Sequence, residues 1–446
     1  MLTPTLNQTV RPASLECCPR ARSGRASCLL VLLAWMLGLP AGSAADWPRF
    51  RGPDGTGVSL DKQWTTSWPK EGPTVVWKAS VGTGFSSVAV AHGRLFTLGN
   101  TASNDSVFCF DALSGRRVWQ HSYRCALDDN FYEGGPGATP TVDEDRVYTL
   151  SKSGDLFCFK AASGEVIWQT NLVRDLHVTK PDWGFAGSPV VEGELLLLNA
   201  GGSGMALDRK NGRVVWASGT NVAGYATPVV YGSGANRAAA VFAGDGLVGV
   251  RVSDGHELWR HHWVEEYKIN AADPIVPQPD SVFITSYTRG AALLKIGATG
   301  VSEVWTNNHM AVGFSSCVLW EGYLYGVHGT ADGPLKEVRC VNAATGGLQW
   351  RQEKFGLGSV TLAGGRLLLL SERGELIVAE ASPSAFKPVA RAQVLGGKCW
   401  TTPVLADGRI YCRNAKGSLV CLDVRGQTSA PSEWRVQARE QTPKAK

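Results

Sequence analysis

Apolar and polar residues alternate with a period of two in short runs along most of this chain, and turns rich in glycine and aspartate separate the runs. EDRVYTL (144–150), GDLFCF (154–159), GELLLL (193–198), GYLYGV (322–327), GELIVA (374–379) and GSLVCL (417–422) are examples. Alternation of this kind sends successive side chains to opposite faces of a strand, so each run predicts a short β-strand with one face toward a core.

The runs belong to a longer phrase that returns. It opens on a small or polar residue, a proline and apolar residues, as in ATPTV (138–142), SPVV (188–191), TPVV (227–230), DPIV (273–276) and TPVL (402–405). Tight turns and two further strands follow, and a Gly-x-x-x-Trp strand closes the unit, as in FCFDALSGRRVW (108–119) and FCFKAASGEVIW (157–168). First-strand markers fall at Val88, Pro140, Pro189, Pro228, Pro274, Cys317, Val360 and Pro403, eight copies 39 to 52 residues apart. One antiparallel sheet cannot bury both its faces, whereas a ring of sheets can. The period therefore predicts an all-β, eight-bladed β-propeller of four-stranded antiparallel blades over residues 73–426.

The closing tryptophans are Trp119, Trp168, Trp216, Trp259, Trp305 and Trp350. The seventh unit has none after EASPSAFKPVARAQV (380–394), and the eighth stops at CLDVRG (421–426) without a fourth strand. A spare strand stands in GPTVVWKASV (72–81), which carries Trp77. The expected closure pairs this N-terminal strand into the last blade, which leaves no open edge. Trp434 in SEWRV is the other candidate, although GQTSAPS before it reads as part of a flexible tail, 427–446.

Composition changes this picture little. Charged residues are 19%, with 52 glycines and 16 tryptophans among 446 residues, as strands punctuated by glycine produce and long helices do not. Arg11, Arg20, Arg22 and Arg25 precede CLLVLLAWMLGLP (28–40) and the small residues AGSAA, which predicts a secretory signal over 1–45, cleaved before Asp46. Residues 46–72 then form an N-terminal arm. Loss of the signal lowers the net charge from +5 to about +2, too little to attract nucleic acid, and no basic cluster with interleaved aromatics appears. The reading is a periplasmic or secreted protein with no transmembrane segment once the signal is removed.

Cys17, Cys18 and Cys28 leave with the signal, and eight cysteines remain. Cys109, Cys158, Cys340 and Cys421 share one third-strand position, which suits a small buried packing residue. Cys125, Cys317, Cys399 and Cys412 stand elsewhere and no pairing follows from their spacing. No C-x-x-C pair is present, and no metal site is expected.

The endings FDALSGRRVW and VNAATGGLQW resemble the repeat of the pyrroloquinoline quinone (PQQ) proteins, the quinoprotein alcohol dehydrogenase-like superfamily of eight-bladed propellers. DWPRFRGPDGTGVS (46–59) resembles the opening of secreted bacterial members. The resemblance implies that Trp77, Trp119, Trp168, Trp216, Trp259, Trp305 and Trp350 form a girdle between blades. It also implies a second function. Members that hold PQQ stack it between a tryptophan and a disulfide of adjacent cysteines, beside calcium held by Glu, Asn and Asp. Here the only adjacent pair is Cys17–Cys18, within the signal, and no calcium motif matches.

A propeller displays function on the turns that lead into its first strands, around one mouth of the channel. Those turns carry Phe85, Phe185, Tyr225, Phe314 and Trp400, with Asn270 and Asp273 as polar members, and they form the expected ligand pocket. Two longer connections, 126–137 and 173–187, add Asp128, Asp129, Tyr132, Glu133, His177, Asp182 and Trp183 as lid candidates. The expected function is a non-catalytic binding or protein-interaction platform for an envelope protein or glycan, with no catalytic residues. The alternative is a PQQ-dependent oxidoreductase of the alcohol dehydrogenase type, with calcium, at the same mouth.

Overall fold

A computed structural model describes residues 45–129, 132–219, 222–298 and 300–426. The expected signal, Ala45 apart, and the tail at 427–446 lie outside them, as does Trp434. Eight antiparallel sheets follow in chain order, at 89–124, 141–171, 190–217, 229–262, 275–307, 318–352, 358–393 and 404–423. These are the blades of an eight-bladed propeller, numbered 1 to 8 below. Seven of the eight markers sit immediately before a first strand, and Val360 lies within Gly358–Ala363. Among the described residues no helix is long and apolar enough to cross a membrane.

Two blades recruit strands from the N-terminal segment. Thr74–Ser80 is hydrogen-bonded antiparallel to Ser418–Asp423 at the outside of blade 8, with Trp77 opposite Cys421 and Ala79 opposite Leu419. Val58–Ser59 adds a fifth strand to blade 7, parallel to its first strand, with Val58 opposite Leu362. Blade 7 thus departs from the four-stranded pattern.

In blades 1, 2, 6 and 8, register puts an outer-strand tryptophan beside a third-strand cysteine, and that beside a second-strand aromatic ring. The rows are Phe96–Cys109–Trp119, Tyr148–Cys158–Trp168, Tyr325–Cys340–Trp350 and Tyr411–Cys421–Trp77. The four cysteines are fully buried, and all eight described cysteines are free thiols. A larger side chain there would push the indole out of the row.

Each indole then reaches the next blade. Trp119 Nε1 donates to Ala161 O (2.8 Å), Trp168 to Arg209 O (3.0 Å), Trp216 to Val252 O (2.8 Å), Trp305 to Ala343 O (3.1 Å) and Trp350 to Ser382 O (2.8 Å). Trp77 does the same from blade 8 to blade 1, on Ala112 O at 3.0 Å. In five of these six joints the receiving turn carries the repeat's glycine at positive φ, and a Cβ on Gly115 would stand 2.5 Å from the Trp77 ring. The glycine and tryptophan of one phrase therefore serve different joints: the glycine receives the preceding blade's indole, and the tryptophan goes forward to the next blade.

Trp259 is the exception. Its row reads Ala240–Gly249–Trp259, and with no side chain at 249 the indole settles over Gly249, where a Cβ would lie 2.2 Å away. Its Nε1 turns back to Tyr231 Oη of its own blade, at 3.0 Å. The joint between blades 7 and 8, whose repeat lacks a tryptophan, is packed instead by Trp64 and Trp68 from the N-terminal segment.

The arm runs inside the ring. Trp47 exchanges backbone hydrogen bonds with Val90 of blade 1, Val142 N of blade 2 donates to Pro48 O (2.7 Å), and Leu362 N of blade 7 donates to Gly57 O (2.9 Å). Ser59 Oγ donates to Leu405 O of blade 8 at 2.8 Å. These partners lie on first strands, as do Val190 and Val229 beside Arg49 and Phe50, so the segment 47–59 lies against the inner strands of the ring.

Candidate functional site

The neck of the channel is a ring of short polar side chains. Each is the residue before a first-strand marker, and in blades 2 to 6 it accepts a hydrogen bond from its counterpart's backbone N–H in the preceding blade. Ser87 N donates to Thr139 Oγ1 (3.2 Å), Thr139 N to Ser188 Oγ (2.9 Å) and Ser188 N to Thr227 Oγ1 (3.1 Å). Thr227 N donates to Asp273 Oδ1 (2.8 Å) and Asp273 N to Ser316 Oγ (3.0 Å). The small-polar-Pro step therefore latches one blade to the next. A following proline donates no hydrogen bond and holds the latch residue extended.

Asp273 is the one carboxylate in this ring, and the arm explains it. Arg51 comes within 3.8 Å of Asp273 Oδ2 through Nε, and both side chains are almost fully buried. The guanidinium also donates to Gly55 O (3.1 Å), Thr56 O (2.9 Å) and Cys317 O (2.8 Å). Burial pushes the Asp273 carboxyl up to about 6, against the pull of Arg51. Asp273 thus anchors the arm and lies at the channel neck.

The mouth itself carries a row of aromatic rings. Phe314 stacks on Trp400 with centroids 4.3 Å apart, Trp400 on Phe85 at 5.6 Å, Phe85 tilts against Tyr132 at 5.5 Å, and Tyr132 against Trp183 at 5.8 Å. Trp183 N donates to Tyr225 Oη at 3.3 Å, which extends the row toward blade 4. All five rings from Phe314 to Trp183 are half-buried. Lys398 Nζ stands 4.4 Å from the Trp400 ring centre and pairs with Glu133 at 2.8 Å. Lys152 Nζ stands 4.4 Å from the Tyr132 ring, donates to Asp128 O, and shares the Asp128 carboxylate with Lys180. Burial lowers the Lys152 ammonium and its neighbour Asp128 opposes that shift.

Of the expected pocket residues, Phe85, Phe314 and Trp400 come together, and Tyr225 joins through Trp183. Phe185 does not reach the mouth; it is buried in the core between blades 2 and 3, with Leu156 and Leu196. Asn270 is fully buried and holds a loop, its Nδ2 donating to Ala243 O (2.8 Å) and Trp263 O (3.3 Å), while its backbone carbonyl accepts from Tyr225 N. Tyr132 and Trp183 of the long connections are part of the row, and Glu133 stands at its rim through Lys398. Among the described residues no hydrogen bond, ion pair or ring contact joins His177 or Asp129 to the row.

Sequence reasoning missed Lys152, Lys398, Arg51 and Arg413. Only Lys398 carried a local signal, two residues before Trp400. Arg413 is buried where blade 8 meets blade 1, and donates to Ser86 O (2.7 Å), Thr97 Oγ1 (3.0 Å) and Gly82 O (3.1 Å). Burial pulls its guanidinium down to about 9.

The fold class implies PQQ and calcium as ligands of such a mouth. A planar guest between two rings needs them about 7 Å apart, twice a carbon contact of roughly 3.5 Å. Here Phe314, Trp400 and Phe85 stack on one another and fill that space. Among the described residues no group of three His, Cys, Asp or Glu is placed to hold a metal ion. The residues of the mouth as folded do not fit the quinone and its cation.

Ring, row and repeat together define the class, an eight-bladed propeller of PQQ-type repeats. Residues 103–333 and 334–446 match the family described as outer membrane protein assembly factor BamB, and the chain belongs to that family. Among solved structures it is similar to BamB from Moraxella catarrhalis, with a TM-score of 0.58 and 15% identity over 79% of this chain and 99% of that one. It is also similar to the quinohemoprotein alcohol dehydrogenase of Comamonas testosteroni, with a TM-score of 0.66 and 13% identity over 87% and 82%. A europium-containing methanol dehydrogenase aligns with a TM-score of 0.62 and 10% identity over 84% and 89%. At these identities the likeness is one of fold. No curated protein matches the chain.

Proposed function

We propose that the protein is a non-catalytic binding platform of the cell envelope, periplasmic or secreted, whose working surface is the aromatic mouth. The observation that carries this is the self-packed row Phe314–Trp400–Phe85–Tyr132–Trp183, rimmed by Lys152, Lys398, Asp128 and Glu133. Half-buried aromatic rings held by their neighbours lose little freedom on binding and add apolar area, while the charged rim sets orientation. An envelope protein or glycan is the class of partner that such a face suits. The propellers similar to this one include both BamB and quinoprotein dehydrogenases, so fold alone favours neither use.

The purified chain, titrated with PQQ and calcium, is expected to show no stoichiometric quinone absorbance and no dye-linked alcohol oxidation. Stoichiometric quinone uptake would overturn the platform in favour of the oxidoreductase. A photocrosslinker in place of Glu133 is then expected to capture an envelope component, and one in place of Val215, on an outer strand, is not.

A further inference from the structure

We infer that a cavity beside the arm, away from the aromatic mouth, binds a small zwitterion, a free α-amino acid with an apolar side chain. The cavity holds about 170 Å³ and lies between the arm and the first strands of blades 3 and 4. That is room for roughly six waters at ~30 Å³ each, the size of a small amino acid.

Charge selects the ligand. Arg49, Asp54, Glu192, Arg237 and Asp273 are all in the wall. Two of them are closed off: Arg237 forks onto Glu192 with bonds of 2.7 and 2.9 Å. Two are open. Arg49 spends Nε and Nη2 on Pro53 O, and among the described residues its Nη1 has no hydrogen-bond partner and its guanidinium no ion pair. Asp273 Oδ1 accepts from Thr227 N, and Oδ2, which faces the cavity, lies 3.8 Å from Arg51 Nε. Counting Arg51, three guanidiniums face three carboxylates, so a ligand with net charge of either sign leaves one set uncompensated. A zwitterion satisfies both, with its carboxylate on Arg49 Nη1 and its ammonium toward Asp273 and Asp54. Phe50, Pro228 and Val230 supply an apolar wall for the side chain. The site is independent of the platform role.

Calorimetric titration of the purified chain with L-leucine tests this. The expected result is saturable one-to-one binding with a Kd at or below about 1 mM. Isovalerate and isoamylamine, each with one of the two charges, are expected to bind at least about tenfold more weakly, as is leucine to Arg49→Gln. Val230→Phe fills the cavity without touching a charge and is expected to abolish binding; it decides the matter if Arg49→Gln does not fold. No saturable heat up to about 10 mM leucine overturns the proposal, as does unchanged binding in Val230→Phe or equal affinity for isovalerate.

Discussion

At the scale of single residues, the molecule depends on groups whose surroundings are unusual. Gly115 shows this at a joint: φ is +69° and the Trp77 ring occupies the space of a Cβ. Gly115→Ala is expected to cost about 2–4 kcal/mol, from the left-handed backbone and the displaced ring together. Gly93→Ala, at φ +70° with open space around it, is expected to cost only about 1–2 kcal/mol, the two variants being compared by urea titration. Asp105 is fully buried; it accepts from Asn100 Nδ2 at 2.7 Å through Oδ1, and Oδ2 has no partner among the described residues. Burial raises this carboxyl to about 6. It holds its proton more tightly folded than unfolded, so its contribution is largest below pH 4 and is lost as pH rises through about 6. Asp105→Asn is therefore expected to match the parent at pH 4 and exceed it by up to roughly 3 kcal/mol at pH 8, as read from unfolding across that range.

At the scale of elements, the arm is the least repetitive part and the most connected. Its backbone meets channel strands of blades 1, 2 and 7, and Arg51 meets the one acidic member of the neck ring. Arg51→Met is expected to cost about 3–5 kcal/mol at pH 8, because Asp273 is left buried without its cation, and less at pH 5, where Asp273 takes up a proton. Adding Asp273→Asn is expected to recover part of that loss; a strictly additive double variant in denaturant unfolding would remove the pairing from the account. The arm was legible in the sequence only as a segment before the first blade. Its path against the inner strands of the ring was not, because one arginine among 44 basic residues has no local signature of burial.

At the scale of the whole molecule, the ring is continuous. Thr74–Ser80 completes blade 8, Trp77 docks on blade 1, and Arg413 ties blade 8 to blade 1 from the channel side. Blades joined on both sides have no free end from which to unravel, so unfolding followed by tryptophan fluorescence and by far-ultraviolet circular dichroism is expected to give coincident single transitions. Trp77→Ala removes a buried indole and its bond to Ala112 O, and is expected to lower stability by about 3–5 kcal/mol. If that variant separates the two probes, blade 8 opens before the others.

The repeating pattern by itself determined the blade count, the strand order and the shared positions of cysteine and tryptophan, because each depends on a period that every copy reports again. It also marked the turns that carry Phe85, Phe314 and Trp400. Tertiary structure alone decided what those turns build. Phe185 goes to a core, Asn270 to a loop and Asp273 to the arm, since each destination depends on neighbours from other blades or from the N-terminal segment. The same holds for Trp259, which obeys the repeat in sequence and leaves it in space because residue 249, on another strand, is glycine. Periodicity reports which face a residue occupies. What lies opposite that face is settled only when distant segments are packed together.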